Sequence, residues 1–139
     1  MKAIQFSRFG GPEVLEYVDV PAPAPVNDEV LIEVTAAGVN YVDIRERLGV
    51  YHSSAAHVDS GVTLPRISGL QAVGIVQEAG PQGDRSLIGR KVMALLTRAG
   101  GYAQFATALS KLVIPLPSSV NDAEMAALPA FWFTAEAAA

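Results

Sequence analysis

The chain has 139 residues, half of them hydrophobic and 17% charged, with a formal net charge of -4 and no cysteine. That length suits one domain and that apolar fraction suits a packed core, which excludes global disorder. The lack of cysteine excludes disulfides, a thiolate nucleophile and a zinc–thiolate site, and the acidic balance makes nucleic acid and anionic membranes poor partners.

Lys2–Phe9 alternates apolar and polar residues as a strand rather than a signal peptide, Gly10-Gly-Pro12 turns the chain, and Val14–Val20 alternates again, which predicts a hairpin. Pro21-Ala-Pro-Ala-Pro25 reads as a stiff, extended spacer. Glu29–Ala37 is a strand with Val30, Ile32 and Val34 on one face. It runs into Gly38-Val-Asn-Tyr-Val-Asp-Ile-Arg-Glu-Arg-Leu-Gly-Val-Tyr51, the stretch on which function turns. The pattern predicts a short helix there. Asn40 is placed to cap it through its side-chain oxygen, and Asp43 lies at the positive end of the helix dipole. Tyr41, Ile44 and Leu48 form one apolar stripe, and Gly49 ends the helix. Asn40 and Tyr51 would then flank one helix and face a cleft.

His52–Pro65 has no clear period and reads as a long loop. Gly69–Val76 is expected to be a buried strand with close-packing glycines, and strands are also expected in Leu87–Leu96, after Gly100-Gly101 and in Lys111–Pro117. Ser119–Leu128 looks helical with Asn121 as its cap and Glu124 at the capping-box position, and 129–139 looks like a second helix. No stretch approaches the roughly 20 apolar residues that span a bilayer. The fold class is therefore β-rich, with short strands, Gly/Pro turns and a few short helices.

Several fragments fall in an order that resembles the opening half of the medium-chain dehydrogenase/reductase superfamily. They are Met1-Lys-Ala-Ile, Gly10-Gly-Pro-Glu-Val-Leu15, Glu29-Val-Leu-Ile, Ala37-Gly-Val-Asn40, Arg47-Leu-Gly-Val-Tyr51, Gly69-x-x-Ala-Val-Gly-Ile-Val76, Gly89-Arg-Lys-Val92, Gly100-Gly-Tyr-Ala-Gln-Phe105 and Ala127-Leu-Pro129. The nearest branch is the zinc-free, quinone-oxidoreductase-like one. The resemblance implies a GroES-like, partly open β-barrel over residues 1–128, with 129–139 leading into a nucleotide-binding domain. No glycine-rich strand-to-helix turn of the dinucleotide-binding kind occurs in this sequence. The expectation is a portion of a longer NADPH-dependent reductase acting on a quinone or an activated alkene or carbonyl. By itself the chain would be inactive. Its partners would be that small molecule and the missing nucleotide-binding domain, and its location the cytoplasm.

The resemblance also speaks to single residues. In the zinc-dependent branch a cysteine occupies the position of Asn40 and a His-Glu pair that of Leu70-Gln71, so a catalytic zinc would lose two protein ligands and no metal is expected. His52 and His57 read as loop histidines. Tyr51 matches a tyrosine beside nicotinamide and substrate, where a phenol donates a hydrogen bond or a proton. Asn40 and Thr134 match positions near the nicotinamide. Asp43 reads as a helix-start carboxylate, Gln71 as a hydrogen-bonding side chain in the cleft, and Phe131-Trp-Phe133 as an interface with the missing half. Two other readings are a non-catalytic binding or scaffold module built on the same barrel, and the enoyl reductase of a larger synthase.

Overall fold

The structure, a computed structural model, describes residues 1–51 and 62–128. Strands β1 (Lys2–Gln5) and β2 (Glu16–Asp19) form the expected antiparallel hairpin, with Lys2 opposite Asp19. The larger sheet uses β3 (Glu29–Ala37), β4 (Gln71–Ala79), β5 (Lys91–Leu95), β6 (Phe105–Leu109) and β7 (Val113–Pro115). Its order is β6-β3-β4-β5-β7, and every neighbouring pair is antiparallel. Beyond the hairpin, Ile4 N–H donates to the Tyr102 carbonyl at 2.8 Å and Gln104 N–H to the Lys2 carbonyl at 3.0 Å. These bonds wrap the two sheets towards each other without closing them, which makes the partly open barrel.

Alternation along the strands builds the core. Val30 and Ile32 of β3, Ala72 and Val76 of β4, Val92 and Ala94 of β5, and Ala106 and Ala108 of β6 pack in one cluster with Leu87 and Leu96. The close-packing role of Gly74 is visible in its register: it lies opposite Val34, and a Cβ there would come within 2.0 Å of the Glu33 carbonyl oxygen. No side chain fits between the two backbones.

Of the two short α-helices, one packs on β3 and β4 of this sheet. In α2 (Asp122–Ala126) the Asn121 side chain accepts from Ala123 N–H at 2.9 Å and Glu124 N–H at 3.1 Å, so the predicted cap is formed. Asp122 takes Lys91 Nζ at 2.7 Å and Thr35 Oγ1 at 2.6 Å. These hydrogen bonds, that of Lys91 first, hold its carboxyl below the usual value.

Helix α1 (Tyr41–Arg47) leaves β3 after Gly38. Its C-terminus is a Schellman arrangement: Gly49, at φ +75°, donates its N–H to the Glu46 carbonyl at 3.0 Å, and Val50 donates to the Arg45 carbonyl at 3.1 Å. The last turn is pinned to the hairpin because Arg47 Nη1 donates to the Gly10 carbonyl at 2.7 Å and Gly10 N–H returns a bond to the Arg47 carbonyl at 3.0 Å.

The face that α1 buries is not the apolar stripe. Tyr41 is 72% exposed and Leu48 50%, while Asp43 is 5% and Glu46 8% exposed. The inward carboxylates are buried because each finds partners across the fold. Glu46 Oε1 accepts from Arg66 Nε at 3.1 Å and Nη2 at 2.6 Å, and Glu46 Oε2 accepts from Ser68 Oγ. Asp43 Oδ2 accepts from Tyr102 Oη at 2.7 Å and from Asn40 N–H at 2.8 Å. Burial, then the bond to Asp43 and the charges of Asp43 and Glu46, push the Tyr102 phenol well above its ordinary value of 10.0.

Two outcomes follow for stability. Glu46→Ala strands the Arg66 charge in a site where its side chain is only 16% exposed. A loss of about 3–5 kcal/mol in urea unfolding is expected, most of it recovered by adding Arg66→Met. For Tyr102 the folded value lies above the unfolded one, so its contribution is present below pH about 10 and is lost as pH rises further. The urea midpoint should fall as pH rises above about 10, and Tyr102→Phe should remove that part of the fall.

Candidate active site

The two ends of α1 carry the residues that sequence singled out. At its start, Asn40 is 9% exposed with extended backbone. The capping box there is carried by its return half, Asn40 N–H to Asp43 Oδ2. The Asp43 N–H bonds the Asn40 backbone carbonyl at 3.1 Å, and the Asn40 side chain makes no cap hydrogen bond. The side-chain oxygen still faces the N3 backbone as a capping box requires, and the Nδ2 donor takes no part in the cap. That donor is buried and has no hydrogen-bond partner. A buried N–H2 of this kind calls for an acceptor that the described residues do not provide.

At the other end, the Schellman turn delivers Tyr51 directly after the helix, half-buried. The Arg45 guanidinium lies 5.4 Å from the Tyr51 ring centre and 5.9 Å from that of Tyr41. Tyr41 and Arg45 are four residues apart and share a helix face, so the cation rests between two aromatic rings. Arg45 Nε is buried and unpartnered as well. Sequence reasoning passed over this residue. Its spacing from Tyr41 was the available signal, but the Tyr51 contact depends on the turn at Gly49.

Asp43 is the helix-start carboxylate that was expected, with Tyr102 as an unforeseen partner from a distant turn. Gln71 is 1% exposed, and its Nε2 donates to the Ala126 carbonyl at 2.5 Å, joining β4 to α2. Gly38 makes room for that bond, since a Cβ on it would lie 1.9 Å from Gln71 Nε2. A small cavity of about 140 Å³ beside α1 is lined by Leu15, Val39, Asp43, Ile44, Ser68 and Tyr102, among others. A broader groove of about 510 Å³ between β1 and the outer half of β3 touches neither Asn40 nor Tyr51. Among the described residues no three His, Cys, Asp or Glu side chains gather as a metal site. His52, His57, Phe131–Phe133 and Thr134 lie outside the described residues.

Comparison with known proteins gives the same direction. The alcohol dehydrogenase GroES-like domain family matches residues 26–118. The mouse quinone oxidoreductase is 39% identical over 136 residues, which is 97% of this chain and 39% of the mouse protein. The structure of the Coxiella burnetii quinone oxidoreductase superposes with a TM-score of 0.84 at 33% identity, covering 99% of this chain and 44% of that one. The Escherichia coli quinone oxidoreductase, solved in complex with NADPH, gives a TM-score of 0.77 at 28% identity, covering 92% of this chain and 37% of that one. The chain spans about two fifths of the length of the curated relatives it matches. With the barrel, the helix and these likenesses in place, the chain belongs to the alcohol dehydrogenase GroES-like domain family and is similar in sequence and structure to quinone oxidoreductases.

Proposed function

We propose that residues 1–128 are the substrate-side domain of an NADPH-dependent, zinc-independent reductase, with 129–139 leading into a dinucleotide-binding domain. The complete enzyme reduces a quinone or an activated alkene or carbonyl in the cytoplasm, and this chain alone does not turn over. One observation carries the reading: the unpartnered, buried Asn40 amide at one end of α1, with Tyr51 at the other. The likeness to quinone oxidoreductases, one of them solved with NADPH, supports it.

In this reading Asn40 Nδ2 donates to an oxygen at the nicotinamide end of the cofactor, and Thr134 adds a contact on the same side. Bound NADPH supplies the hydride. The Tyr51 hydroxyl donates to the substrate oxygen that gains electron density, which orients the substrate and favours the reduced product. Asp43 acts on Asn40 alone, by holding its backbone N–H. No metal is needed for polarisation, because the phenol and the amide are both donors.

The intact mass of the natural protein, measured together with NADPH consumption on a naphthoquinone, tests this. A mass at least twice that of this chain, with turnover, is expected. A natural 139-residue product without turnover sinks the enzyme reading for this chain and favours a scaffold module. In the complete enzyme, Tyr51→Phe removes one donor and should lower kcat/KM for the quinone about tenfold, the equivalent of one hydrogen bond. Asn40→Ala should instead raise the KM for NADPH by a similar factor of about ten. Steady-state kinetics with each substrate varied in turn separates the two.

A further inference from the structure

Helix α1 carries four charged side chains inside its turns, and three of them are already committed. Asp43 is bonded to Tyr102 and the Asn40 N–H, Glu46 to Arg66 and Ser68, and Arg47 to the Gly10 carbonyl. Arg45 is different. Among the described residues none of the ion pairs includes it. Its Nε is buried without a hydrogen-bond partner, and its guanidinium is held against the rings of Tyr41 and Tyr51.

A bland role explains part of this. A cation in the last turn of a helix is favoured by the helix dipole, and a guanidinium stacks well on aromatic rings. Neither effect satisfies a desolvated N–H. An exposed arginine would turn Nε to water, whereas here the guanidinium lies against two tyrosine rings and its buried Nε has no acceptor, which an oxyanion would supply. A guanidinium stiffened in this way loses little freedom on binding, and its geometry matches the two oxygens of a carboxylate. It also stands beside Tyr51, where the substrate ring is placed above.

We propose that Arg45 is a specificity-determining residue that selects substrates carrying a carboxylate close to the reducible ring. This deepens the reductase reading and rests on it for the identity of the ring. The other source of an oxyanion is a phosphate of the dinucleotide, and the two are separable by experiment.

The test uses a naphthoquinone with a short carboxylate side chain and the methyl ester of the same acid, which keeps the shape and removes the charge. In the complete enzyme, kcat/KM for the acid should exceed that for the ester about tenfold or more, the size expected of a charge-assisted bond. Arg45→Gln should bring the ratio close to one, through KM of the quinone, and Arg45→Lys should restore part of it. A ratio near one in the unaltered enzyme overturns the inference. So does a ratio that survives Arg45→Gln while the KM for NADPH rises, because the anion is then the dinucleotide phosphate. If the complete enzyme reduces neither quinone, the reductase reading has failed, and binding to the 139-residue chain decides this inference separately. In an NMR titration of that chain the acid should shift amide signals across residues 41–51, and the ester should not. Equal shifts, or shifts that persist in Arg45→Gln, overturn it.

Discussion

The Glu46–Arg66 pair is the interaction on which the site depends. Glu46 uses both carboxylate oxygens, one for the Arg66 fork and one for Ser68. Arg66 in turn donates Nη1 to the Arg98 carbonyl at 2.9 Å, and its backbone exchanges hydrogen bonds with Phe6 at 2.8 and 2.9 Å. One ion pair therefore ties α1 to the hairpin end, to the segment ahead of β4 and to the turn after β5. A seven-residue helix has little stability of its own, so its position comes from these bonds and not from propensity.

That arrangement inverts the usual helix. Charged groups face the protein and apolar ones face out: Val39, Tyr41, Ile44 and Leu48 are all exposed, with Leu15 and Tyr17 exposed on the hairpin. The inversion is tolerable because each buried carboxylate takes hydrogen bonds, which offsets the cost of removing it from water. It also leaves Asp43 Oδ1, Asn40 Nδ2 and Arg45 Nε as buried polar atoms without partners, all three on or beside the same helix. Among the described residues these are the unsatisfied buried side-chain groups, and they gather at one place in a fold whose strands are otherwise well paired.

The strands were legible because β-branched residues alternate with polar ones and glycines or prolines bound each run; the hairpin, β3 and β7 all follow that signal. Gly49 and Asn121 also announced their helix ends, since both act through bonds to residues close by in sequence. The orientation of α1 was not legible. Hydrophobic periodicity assumes that the apolar side is the buried side, and what overrides it lies 20 residues or more away in Arg66, Ser68 and Tyr102. Tyr102 had been noticed only as one letter in a glycine-rich turn. The bond from Gln71 was illegible for a similar reason: its acceptor, the Ala126 carbonyl, is 55 positions on. Asn40 was legible by residue type, but the burial of its Nδ2 without an acceptor depends on packing far from it in sequence.

Helix α1 also works as a ruler. Seven residues at about 1.5 Å each give a rod about 10 Å long, with Asn40 at one end and the approach to Tyr51 at the other. Substitutions on its outward face alter the lining of the cleft but not that span. A residue inserted or deleted inside 41–47 shifts one end by about 1.5 Å and turns it by about 100° relative to the other. It would also carry either Asp43 or Glu46 off the inward face. This segment is therefore open to exchange of side chains and closed to change of length.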